Sequence, residues 1–164
     1  MMDPDFPRSV HLVNLYADNL VDLPLSVATL WPQGGMLMYA RMGASRFPDV
    51  IFYMVFYYLS LAGNQLSEIP VKLFYAPYLA MLDLAGNPLT SLPEVPQSMI
   101  NEYGPPGATM QSLDVSCTGL QQLPSWFGTR PIRLVALNTP FCVKLKAGDP
   151  TIPTSELIKQ LVVC

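Results

Sequence analysis

The chain is predicted to fold as a solenoid, a stack of similar turns in which each buries its apolar edge against the next. Two observations carry this. A hydrophobic residue followed by proline recurs at Leu23-Pro24, Phe47-Pro48, Ile69-Pro70, Leu92-Pro93 and Leu123-Pro124, in steps of 24, 22, 23 and 31 residues. A period in the twenties marks a solenoid. Composition agrees: 51% of the 164 residues are hydrophobic and only 13% are charged, too apolar for a disordered chain. The 17 prolines argue against long helices, because proline removes a backbone donor and clashes with the preceding turn.

Aligned on these pairs, the units share a pattern. The first reads Val10-x-x-Val13-x-Leu15-x-x-Asp18-x-Leu20-x-x-Leu23-Pro24. The second is degenerate, with Gly34, Leu37, Tyr39, Met42, Ala44 and Phe47 at the same positions. The third reads Phe56-x-x-Leu59-x-Leu61-x-x-Asn64-x-Leu66-x-x-Ile69-Pro70, and the fourth Leu79-x-x-Leu82-x-Leu84-x-x-Asn87-x-Leu89-x-x-Leu92-Pro93. The fifth has Met110, Leu113, Val115, Thr118, Leu120 and Leu123. A partial sixth has Ile132, Val135, Leu137, Pro140, Cys142 and Leu145.

This pattern resembles the leucine-rich repeat, LxxLxLxxNxL, in the form closed by Leu-Pro that is common in intracellular proteins. The phrases LSLAGNQLSEIP, LDLAGNPLTSLP and LDVSCTGLQQLPSWF also look like repeats of large eukaryotic families, including those of oomycetes. The resemblance implies an α/β leucine-rich-repeat solenoid of about six units. It would be curved, with a short parallel sheet on the concave face and an irregular or short-helical convex face. The chain reads as one domain over residues 1–164, with repeats over 10–145 and a capping segment over 146–164.

Each position then has a physical role. Leu82 and Leu84 point one way from a short strand and enter the core, while Asp83 between them faces outward. A buried Asn64 or Asn87 is expected to bond backbone groups of its own and the next turn. Asp18 and Thr118 substitute in part, whereas Met42 and Pro140 do not, so the second and sixth turns should be less regular. Because a unit is stable only when covered, the ends need caps. Thr154 or Ser155 is placed to start a helix over Glu156–Val162, with Leu157, Ile158, Leu161 and Val162 covering the last unit. Only nine residues precede the first unit, short for a cap. Leu84→Asp is expected to unfold the chain, Asn87→Ala to cost about 1–3 kcal/mol, and Ser60→Ala to do almost nothing.

Three segments depart from the pattern. The 31-residue step holds an insertion of about eight residues within Glu94–Thr109, where proline and glycine predict a loop. Phe52, Tyr53, Phe56, Tyr57 and Tyr58 are read first as core filling where Gly34 and Ala44 leave it thin, the alternative being that some are exposed and bind a partner or a second copy. Cys117, Cys142 and Cys164 form no CxxC pair and read as reduced thiols rather than a zinc site. Val50–Leu59 is apolar for only ten residues, whereas a membrane-spanning helix needs about 20.

Signatures of catalysis do not emerge: His11 is the sole histidine, and GxSxG, Walker and HExxH motifs do not occur. No cofactor or metal is expected. With a net charge of -3 and scattered basic residues, nucleic acid is not an expected partner. The first ten residues do not read as a signal peptide, so the chain is placed in the cytoplasm.

The expected function is non-catalytic binding of a protein partner through the concave face. The outward positions flanking each strand leucine are Asn14 and Tyr16, Met38 and Ala40, Ser60 and Ala62, Asp83 and Ala85, Asp114 and Ser116, and Ala136 and Asn138. With the neighbouring Arg41, the candidate contacts are Asn14, Tyr16, Met38, Arg41, Ser60, Asp83, Asp114 and Asn138; Tyr16, Met38 and Arg41 are the favoured anchors, as aromatics and arginine dominate hot spots. The alternatives are a recognition domain of a larger signalling enzyme or receptor, and a degenerate repeat protein with only a structural role.

Overall fold

Strands form where leucines alternate with outward residues, and seven of them lie side by side in chain order. The computed structural model describes residues 11–16, 23–31, 33–152 and 155–164. The strands are β1 (Leu12–Tyr16), β2 (Gly35–Ala40), β3 (Phe56–Ser60), β4 (Met81–Asp83), β5 (Ser112–Asp114), β6 (Arg133–Val135) and β7 (Val162–Val163). All neighbours pair in parallel in one sheet. Parallel strands need crossovers. These run through α1 (Val27–Leu30), 3-10 turns at Asp49–Tyr53 and Val71–Tyr75, α2 (Gln97–Tyr103), α3 (Pro140–Ala147) and α4 (Glu156–Leu161).

The register stacks the core. Val13, Leu37, Leu59, Leu82, Leu113, Leu134 and Val162 occupy one column, and its five leucines are at most 2% exposed. Leu15, Tyr39, Leu61, Leu84, Val115 and Ala136 follow two residues on, all buried. The predicted column of Leu59, Leu82 and Leu113 is therefore present. Each buried aliphatic side chain contributes about 1.5–3 kcal/mol, so the stack rather than any single turn holds the fold.

The buried asparagines close the turns. Asn64 Oδ1 accepts from Met42 N (3.0 Å) and Ala44 N (3.2 Å), and its Nδ2 donates to Tyr39 O (2.8 Å) and Leu61 O (2.9 Å). Asn87 Oδ1 accepts from Leu66 N, and its Nδ2 donates to Leu61 O and Leu84 O. Each therefore serves its own turn and the preceding one, not the following one. Asn64 supplies the turn at Met42, which lacks an asparagine of its own.

Several expectations are corrected. The last repeat is displaced by one residue: Leu134 pairs with Leu113 and Val135 with Asp114, so Ala136 is buried and Leu137 is exposed. Thr139, not Pro140, takes the asparagine position. Its hydroxyl donates to Ala136 O and accepts from Cys142 N, capping α3, with Pro140 in the first turn. That turn is regular after all, since Thr118 bonds Val115 O in the same way. Within the aromatic stretch, Phe56 is core, but Phe52, Tyr53 and Tyr57 are exposed, and Val50, Ile51 and Met54 fill the space instead. Residues 97–103 of the insertion are helical, and Tyr103 meets Tyr75 edge-on at 5.9 Å.

The C-terminal cap is more elaborate than a single helix. Ser155 accepts from Ile158 N at the start of α4, and Ile158 is buried, but Leu157 is exposed. The chain then adds β7 to the sheet, and Cys164 forms a disulfide with Cys142 at a Cα separation of 5.4 Å. Two of the three cysteines are thus bonded; Cys117 is free and exposed. Val10, Asp18, Leu20 and Thr154, used in the repeat and cap assignments, lie outside the described residues.

Candidate binding face

Side chains alternate along a strand, so the residues between the core leucines share the open face of the sheet. Three outward rows cross it. The middle row is Asn14, Met38, Ser60, Asp83, Asp114 and Val135. The row two residues later holds Tyr16 and Ala40, then Ala62, Ala85, Ser116 and Leu137. The row two residues earlier is Leu12, Met36, Tyr58, Met81, Ser112 and Arg133.

The earliest row is the feature that sequence reasoning missed. Leu12, Met36 and Met81 are 49%, 40% and 37% exposed, and Tyr58 is half-buried. With half-buried Met38 and exposed Tyr16 they form an apolar band over four neighbouring strands. The signal was present: the residue just before each first strand leucine carries this row, but it falls on an unspecified position of the repeat.

Strand β2 is fitted closely to β1. A Cβ on Gly35 would lie 2.6 Å from His11 O, and Met36 N donates to that same carbonyl. The register shifts here, Gly35 facing Phe56 and Met36 facing Tyr58, which leaves Tyr57 as the extra residue of a bulge.

The anticipated contacts are placed unequally. Asn14 and Tyr16 are exposed on β1, and the Arg41 guanidinium carbon lies 5.4 Å from the Tyr16 ring centre, within cation–π range. Arg41 has φ 56°, as do Cys117 (56°) and Asn138 (57°), in line with Gly63 (67°) and Gly86 (68°) where each strand leaves the sheet. A Cβ on Gly63 would meet Arg41 Cγ at 2.7 Å, so that glycine makes the space the arginine occupies. Asn138 is exposed, its Nδ2 lying 3.7 Å from Cys117 Sγ; in the corrected phase it belongs to this turn column rather than to the outward row. Ser60 is 1% exposed and is not an accessible contact. Its hydroxyl donates to Asp83 Oδ2 at 2.8 Å, which makes it a support for that carboxylate.

Asp83 and Asp114 are register partners on adjacent strands. Asp83 Oδ1 accepts from Ala85 N (3.0 Å), and Asp114 Oδ1 accepts from Ser116 N (2.8 Å). Burial pushes the Asp83 carboxyl above its ordinary value and Asp114 pushes the same way, against the hydrogen bonds from Ala85 and Ser60. The Tyr58 hydroxyl is raised first by burial and then by the charge of Asp83. Among the described residues, no three His, Cys, Asp or Glu side chains gather to hold a metal ion, and no helix is long and apolar enough to cross a membrane.

No protein-family model and no curated protein matches the chain. Among solved structures, a leucine-rich-repeat protein of Leptospira interrogans is similar over 90% of this chain and 49% of its own, with a TM-score of 0.50 and 17% identity. The chain thus spans about half the length of that protein. The likeness is one of fold, and together with the seven-stranded parallel sheet it makes this an α/β leucine-rich-repeat-like fold.

Proposed function

We propose that this leucine-rich-repeat-like chain is a non-catalytic module that binds a protein partner on the open face of its sheet, the concave side of a curved stack. The observation that carries this is the apolar band of Leu12, Met36, Tyr58 and Met81 crossing four adjacent strands. Contiguous exposed apolar surface marks interaction sites on soluble domains. Tyr16 and Arg41 flank the band as the kind of residues that dominate binding energy. The fold analogy adds only associational support.

The test is a cross-linking screen for partners with the intact chain, followed by affinity measurements on each identified partner. Met36→Ser combined with Met81→Ser should weaken binding at least tenfold, and Tyr53→Ser, on the connection between β2 and β3, should leave it intact. The opposite ranking overturns the assignment of the face.

The disulfide favours a second reading of the compartment. Disulfides persist in oxidising surroundings and are rare in the cytosol, so the Cys142–Cys164 bond supports an oxidising location over the cytoplasmic one expected from the sequence. Mass measurement after thiol alkylation of the native protein distinguishes them: one modified cysteine supports the bond, three refute it.

A further inference from the structure

We infer that the partner segment carries a lysine or arginine that enters between Asp83 and Asp114 while its apolar side chains cover Met36, Tyr58 and Met81. This rests on the open-face reading above and adds the chemistry of the partner.

Charge complementarity is the first argument. Asp83 and Asp114 face each other across adjacent strands and line a depression of about 200 Å³ with Tyr58, Met81, Ser112 and Val135. Among the described residues neither carboxylate has an ion-pair partner; the ion pair found there is Lys159–Glu156 on α4. The seven strands carry a single basic residue, Arg133, which sits beside Ser112 in the register and bridges neither acid. Two carboxylates held side by side by the N–H groups of Ala85 and Ser116 therefore present negative charge that no cation among the described residues pairs with.

A second observation is independent of the charge. Ser116 follows Asp114 by two residues and so shares its face. Its residue is 9% exposed, and its hydroxyl is the one buried side-chain N or O among the described residues without a hydrogen-bond partner. Ser116 does not line the depression; the free acceptor there is on Asp114, and an ammonium or guanidinium brings several donors to one place. Asp114 Oδ2 likewise has no hydrogen bond from the described residues, whereas Asp83 Oδ2 already accepts from Ser60.

The apolar band sets the spacing. Neighbouring strands are about 4.8 Å apart, so Met36, Tyr58, Met81 and the acidic pair span roughly 12–14 Å, about four residues of extended chain. A segment crossing the strands would thus place its basic residue about four positions from its first apolar anchor.

The experiment is selection of a random decapeptide display library on the whole 164-residue chain. Selected peptides are then synthesised and titrated against wild type, Asp83→Asn/Asp114→Asn and Met36→Ser/Met81→Ser, each variant checked for an unchanged circular dichroism spectrum. The expected result is enrichment of Lys or Arg about four positions from an apolar residue, at least tenfold weaker binding to both variants, and further weakening by salt on wild type alone. Peptides that lose affinity for the methionine variant but not the aspartate variant refute the cationic contact and leave the open face standing. Peptides indifferent to both, or no enrichment at all, refute both readings. Calcium binding to wild type that is lost in the aspartate variant and competes with the peptides makes the acids a metal site and overturns the inference.

Discussion

Replacing the two buried asparagines separately tests how the turns are held. Asn64→Ala removes the acceptor for two buried backbone donors, Met42 N and Ala44 N. Asn87→Ala removes it for one, Leu66 N. Leu61 O is shared between both side chains, so either loss leaves that carbonyl one bond. An orphaned buried donor costs about 1–3 kcal/mol, so Asn87→Ala should cost about 1–3 kcal/mol and Asn64→Ala about 2–6 kcal/mol. The assay is equilibrium urea unfolding followed by circular dichroism, with the slope checked so that a change in midpoint reads as a change in stability. Equal costs, or a larger one for Asn87→Ala, would refute the idea that one asparagine serves the preceding degenerate turn.

Three further outcomes are expected. Ser60→Ala, thought harmless from sequence, should cost about 1 kcal/mol because it removes the bond to Asp83, measured in the same unfolding assay. Because Asp83 has a raised carboxyl pKa when folded, the native chain holds this proton more tightly than the unfolded one. Stability should therefore fall as pH rises from the ordinary carboxylate value through the raised one, and Asp83→Asn should flatten that part of a stability–pH profile. Loss of the Cys142–Cys164 bond, which closes a separation of 22 residues, should cost about 3 kcal/mol and expose the β7 amides to hydrogen exchange, while Cys117→Ser changes neither.

Much of the fold was legible because the repeat is a packing rule written in residue types. Leu59, Leu61 and Asn64 declare their phase, as do Leu82, Leu84 and Asn87, since leucines at these steps stack in the core and the buried side-chain amide bonds backbone donors and acceptors of two turns at once. The phase slipped at the last unit because Val135 and Leu137 mimic the pair that Leu134 and Ala136 form. Alanine is a weak marker of a core position, and only pairing with Leu113 decides it. The outward aromatics misled for a similar reason. Phe52 and Tyr53 lie on a 3-10 turn, where three residues per turn send neighbours to different sides. The candidate face was half legible: the middle row followed from alternation, but the row through Met36 and Met81 required knowing how many residues each strand contributes. The disulfide was not legible, because three cysteines leave the pairing open until β7 brings Cys164 against α3.

The column of left-handed residues at the end of the strands sets stability against the proposed recognition role. Gly63 and Gly86 adopt that conformation freely, whereas a side-chain-bearing residue is disfavoured there by about 1–2 kcal/mol. Arg41 occupies such a position and lays its cation against Tyr16. An engineer seeking a hardier scaffold would write glycine at residue 41 and, in the same stroke, erase the guanidinium that lies against Tyr16.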